Sequence, residues 1–134
     1  MGAWSSTFDG SDGAADWFAD ALEGCAIDAA IEKAFKYSDT FDQMRAAAYL
    51  ITVLGCSSYV WPGDLDKLDG FLLQAERELA AMIEPGTESN TELGELWGKD
   101  SDVFDEIRGE LQRLREAHKG RLAWLAKQAA ESTT

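Results

Sequence analysis

Apolar residues recur along this chain at intervals of three and four and almost nowhere at intervals of two, the mark of amphipathic helices and not of half-buried strands. The spacing predicts a helix over Gly13 to Glu23, N-capped by Asp12, with Ala14, Trp17, Phe18, Ala21 and Leu22 on one face and Gly24 closing it. The next runs from Ala26 to Tyr37 through Ile27, Ala30, Ile31, Ala34 and Phe35, and the cap- and turn-forming Ser38, Asp39 and Thr40 break it. Thr40 and Gln43 form a capping box for a third helix, Phe41 to about Ser57. After Arg45 this segment is apolar on nearly every side, so neighbours must cover it, and it is expected to be the central element.

Pro62, which lacks an N–H and disfavours helix in the residue before it, makes Tyr59 to Gly63 a break. From Asp64 the pattern restarts: Leu65, Leu68, Phe71, Leu72, Ala75, Leu79, Met82 and Ile83 repeat at threes and fours up to Pro85 and Gly86. Ser89 and Glu92 read as a capping box for a short helix from about Asn90 to Trp97. Ser101 caps the last long helix, whose apolar seam is Phe104, Ile107, Leu111, Leu114, His118, Leu122 and Leu125. Gly109 and Gly120 each weaken that helix by about 1 kcal/mol relative to Ala, so a bend or stop is expected near Gly120. The reading is an all-α, single-domain bundle of five to six helices: an extended arm over residues 1–11 anchored by Trp4 and Phe8, a helical body over 12–130, and a frayed tail over 131–134.

Composition adds charge to this picture. Among 134 residues, 12 basic side chains face 25 acidic ones for a net charge of −13, a field that repels phosphate backbones and anionic lipid. Nucleic acid and membrane surfaces are therefore excluded as expected ligands. The apolar run from Ala46 to Trp61 is shorter than the ~20 residues a bilayer requires. The first thirty residues contain neither Lys nor Arg, which a secretory leader needs, so a cytoplasmic location is expected. Cys25 and Cys56 form no Cys-x-x-Cys pair and are read as reduced, buried thiols.

The charge is segregated. Residues 1–30 hold Asp9, Asp12, Asp16, Asp20, Glu23 and Asp28 with no base, residues 63–100 hold ten acids against Lys67, Arg77 and Lys99, and the two remaining stretches each balance. Asp12, Asp16 and Asp20 stack at i, i+4 and i+8, so they repel one another unless something positive answers them. The helix N-terminus together with Arg45, Arg77 or Arg108 is one answer, and a basic partner protein is another. A calcium loop is not indicated, because Asp9 to Gly13 lacks the alternating ligands and terminal Glu. Asn90 to Trp97 carries two readings as well: Leu93, Leu96 and Trp97 pack inward at i, i+3, i+4, or Glu92, Glu95 and Trp97 form an aromatic anchor with an acidic rim.

Catalytic machinery is not evident. His118 is the single histidine, with no Glu-x-x-His or His-x-x-x-His around it, and it is read as an edge-of-core side chain with one satisfied nitrogen. No cofactor is expected.

Several segments together resemble one family. Met1-Gly2-Ala3-Trp4, Phe8-Asp9, Asp12 and Ala14-Ala15-Asp16-Trp17 look like the opening of the bacterial proteins grouped as domain of unknown function 4259. Ala46-Ala47-Ala48 with Gly55, and Asn90 to Trp97, are similar to that family's central helix and its Asn-Ser-Glu-Leu-x-Glu-Leu-Trp signature, so the likeness spans roughly Met1 to Leu114. The pattern differs at Ser5 and Thr7, at Tyr49 and at Phe104. The resemblance implies a compact bacterial helical domain and nothing catalytic. The expectation is a non-catalytic acidic module that binds a basic protein, as an immunity protein or an acidic mimic does, through Asp9, Asp12, Asp16, Asp20, Glu92, Glu95 and Trp97. Two other classes stay open: a small metal-dependent enzyme using first-helix carboxylates with His118, and a self-associating subunit marked by an exposed apolar patch.

Overall fold

The computed structural model describes residues 24–36, 41–55 and 61–132. The arm, the helix expected over Gly13 to Glu23, the Thr40 capping box and Cys56 lie outside the described residues. Within them the chain is all-α, with no strand and five helices: α1 (Ile27–Lys36), α2 (Phe41–Leu54), α3 (Leu65–Ile83), α4 (Glu88–Trp97) and α5 (Val103–Ser132). None of these is long and apolar enough to cross a membrane.

The periodicity builds one core. Ile27, Ile31 and Phe35 bury one stripe of α1, and Met44, Ala47, Ala48 and Ile51 one stripe of α2. On α3 the buried set is Leu68, Phe71, Leu72, Ala75, Leu79 and Met82. The most extensive packing joins α3 to α5, and α3 also packs on α2 and α4. Five α3 side chains, Leu68, Leu72, Ala75, Leu79 and Met82, are essentially sealed from solvent, against Ile51 alone on α2. The centre of the bundle is therefore α3, where the sequence pointed to Phe41 to Ser57. On α2 the structure covers one side and leaves Tyr49, Leu50 and Val53 exposed on the other.

Polar contacts fix the relative placement of the helices. The Arg45 guanidinium of α2 grips Glu110 of α5, with Nε 3.0 Å from Oε2 and Nη2 2.6 Å from Oε1, and lies 3.7 Å from Glu106. Its hydrogen bonds to Glu110 outweigh partial burial and, with the attraction of Glu110, Glu106 and Asp42, hold its proton more tightly than an ordinary arginine's. From α1, the Asp28 carboxylate accepts the Asp64 N–H at 2.9 Å, and Glu32 accepts from Lys67 at 2.8 Å. A Cβ on Gly63 would collide with Asp28 Oδ1 and sit 2.8 Å from its Cγ, so only glycine lets the carboxylate approach. Trp61 is buried and packs on Phe71 with ring centroids 6.4 Å apart at 59°.

Four local expectations are corrected. Helix α4 begins at Glu88 under an N-cap from Thr87, whose side chain accepts the Asn90 N–H at 3.1 Å, and Ser89 lies inside the helix. Gly86, at φ +90°, turns the chain after α3 and delivers Thr87 in the extended conformation a cap requires. Cys25 is exposed, because it sits in the connection before α1 and not on its inward face. On α5, Leu122 is 53% exposed and Arg121 is buried in its place, with Nε 2.9 Å from Asp69 Oδ1. Finally, α5 runs unbroken through Gly109 and Gly120 to Ser132, beyond the expected end of the body at residue 130. The Ser101 cap is present, its hydroxyl accepting the Val103 N–H at 3.2 Å.

The cap assignment is testable. Thr87→Ala is expected to cost about 1 kcal/mol, since it removes a helix cap, whereas Ser89→Ala stays within about 0.5 kcal/mol. Urea unfolding of both variants checks this, and a larger loss for Ser89→Ala would reverse the assignment.

Candidate interaction surface

Helix α4 has ten residues, starts at the Thr87 cap and ends at Gly98, whose φ of +91° is a conformation that side chains resist. Asn90 ties it to α3 by donating from Nδ2 to the Met82 carbonyl at 2.9 Å. Only Leu93 of this helix is fully buried. Its other large apolar side chains face out: Leu96 is 70% exposed and Trp97 55%. Glu92 and Glu95 are exposed beside them. The inward reading of Leu96 and Trp97 is thereby overturned: α4 buries Leu93 and is tied to α3 through Asn90, which turns Leu96 and Trp97 to the exposed side.

The acids of the second tract divide into two groups. Asp69 is answered by Arg121, and Glu76 is hydrogen-bonded to His118 Nδ1 at 2.9 Å, both between α3 and α5. By contrast, among the described residues Asp64, Asp66 and Glu78 at or along α3, and Glu84, Glu88, Glu92, Glu95 and Asp100 further on, take part in no ion pair. Five of these eight unpaired acids lie on or next to α4. Next to it, a cleft of about 690 Å³ separates α4 from the start of α5, with Phe104 against its wall and Glu95, Asp100 and Asp105 along its edge. Of the two cations there, Arg108 is held by Asp105 at 2.6 Å, which leaves Lys99 beside the acids.

Glu92, Glu95 and Trp97 are therefore brought together on one short helix. Asp9, Asp12, Asp16 and Asp20 lie outside the described residues. Arg45 and Arg108, two of the cations considered as answers to the first acidic stripe, are engaged with Glu110 and Asp105. His118 occupies the place read for it, buried at the core edge with one nitrogen on Glu76. No group of three or more His, Cys, Asp or Glu suited to a metal ion occurs among the described residues.

No family, curated protein or solved structure matches this chain. What the surface can do therefore follows from its own chemistry. Indole and isobutyl groups held in water by a capped helix give up that hydration when a partner covers them. Unpaired carboxylates around them attract a cationic surface and repel an anionic one. Sequence reasoning missed the Arg45–Glu110 grip and the Asp28 contact, which join positions 65 and 36 residues apart and leave no local signal.

Proposed function

We propose that this protein is a non-catalytic interaction module that docks a basic partner protein on the outer face of α4. One observation carries the reading: Leu96 and Trp97 stand exposed next to Glu92 and Glu95, and none of the nearby acids except Asp105 is neutralised within the described residues. A central aromatic anchor within a charged rim is the usual anatomy of a protein interface. The rim sets encounter rate and partner choice, and the anchor sets residence time. Neutralising a basic toxin, or covering the nucleic-acid surface of a basic protein, are the roles such a surface serves. The likeness to the bacterial family of unknown function is proposed on the same footing, since the α4 segment carries one of its signatures.

The test is affinity capture with the chain as bait, followed by binding curves for the recovered protein. Binding is expected at low salt and lost near 0.5 M, where screening lengths shrink to a few ångströms. Trp97→Ala is expected to cost about 2 kcal/mol, roughly thirtyfold in Kd, and the pair Glu92→Lys with Glu95→Lys is expected to slow association at low salt. Unchanged binding by both substituted chains would remove the α4 face as the site.

A further inference from the structure

We propose that the outer face of α2 is a homodimer interface, formed by two copies packed antiparallel about a two-fold axis passing between Ala46 and Tyr49. Asp42, Ala46, Tyr49 and Val53 follow one another at intervals of four, three and four, the spacing of a helix–helix seam. This stripe lies on the side of α2 opposite Met44, Ala47, Ala48 and Ile51, which face the core. The helix thus carries two apolar faces, and among the described residues its neighbours cover one. Tyr49 is 65% exposed and its neighbour Leu50 41%.

What identifies the occupant as a second copy is that the face complements itself. A two-fold interface places one patch against the same patch, so it needs a protrusion and a recess side by side. Tyr49 is the protrusion. On one side of it lies a shallow, open depression bounded by Asp42, Ala46, Leu50 and Glu110, and on the other a smaller but more enclosed hollow of about 150 Å³ bounded by Thr52, Val53 and Arg113. About the proposed axis Tyr49 of each copy meets the small Ala46 of the other, a large residue against a small one.

Charge gives the same answer. Asp42 marks one end of the face and Arg113 of α5 the other, and within the described residues neither forms an ion pair. Antiparallel packing brings Asp42 of each copy to Arg113 of the other, twice per dimer, whereas parallel packing would set like charges together.

The experiment is the mass of the full chain by sedimentation or light scattering from about 1 to 300 µM, a range suited to a single helix face. The expected result is concentration-dependent growth from 14.7 kDa to twice that value. Tyr49→Asp, at an exposed position that leaves the monomer folded by circular dichroism, is expected to raise the dimer Kd at least a hundredfold. Asp42→Arg and Arg113→Asp alone are each expected to raise it about tenfold, and the two together to return it to within threefold of the original. Trp97→Ala leaves it unchanged. A wild-type chain that stays monomeric throughout, a dimer indifferent to Tyr49→Asp or sensitive to Trp97→Ala, or a double charge reversal no better than the single ones would each overturn the proposal.

Discussion

Leu72→Ala is expected to lower the unfolding free energy by about 3 kcal/mol, and Leu73→Ala, one position along, by less than about 0.5 kcal/mol. Leu72 has no exposed surface and sits on the inward stripe of α3, the helix that touches α2, α4 and α5. Removing its isobutyl group loses the transfer free energy of the buried carbons and leaves a void that three packed neighbours cannot fill. Leu73 is 49% exposed and points the other way. In a domain of this size the first change lowers Tm by roughly 10 °C. Calorimetry of the two single variants decides the matter, and equal losses would mean that α3 is rotated from the phase described.

Glycine-to-alanine substitutions give the second large effect, with a sign that depends on position. Gly55→Ala is expected to destabilise by about 2 to 3 kcal/mol, in the range for overpacked cores. A Cβ there would strike the Ile51 carbonyl oxygen and come within 2.9 Å of Leu68 Cδ1. Neither can retreat, since the carbonyl accepts the Gly55 N–H at 2.8 Å and Leu68 is completely buried. Gly70→Ala and Gly120→Ala are expected to stabilise, each by about 0.5 to 1 kcal/mol, because both lie in helices and a Cβ meets nothing within 4 Å. Denaturant curves for the three variants test this. A gain from Gly55→Ala would show that the turn after α2 adjusts freely.

The contrast between what the sequence made legible and what it hid follows the range of the physics involved. The α3 stripe from Leu68 to Met82 was readable because burial at period 3.6 is a local pattern. The α5 seam was readable as far as His118 and then failed. Hydropathy favours Leu122, but Asp69 on the facing turn of α3 draws Arg121 inward, and nothing at position 122 reports a carboxylate 52 residues before Arg121. The α4 cap failed for a different reason. Ser89 and Glu92 have capping-box spacing, yet the turn at Gly86 sets Thr87 in extended backbone first. For the candidate surface, composition singled out Glu92, Glu95 and Trp97. Whether Trp97 faced in or out depended on which side of α4 its neighbours cover, a tertiary quantity that one sequence does not encode.

The short reach from α1 to the start of α3 has a kinetic meaning. Asp28 holds the Asp64 amide and Glu32 holds Lys67, so the loop before α3 is clasped by a helix lying some 35 residues earlier in the chain. Solvent deuterium reaches the Asp64 amide only when that clasp opens. Its exchange rate should follow the unravelling of α1, and not that of the helix it begins, which joins the two ends of this connection into one cooperative opening unit.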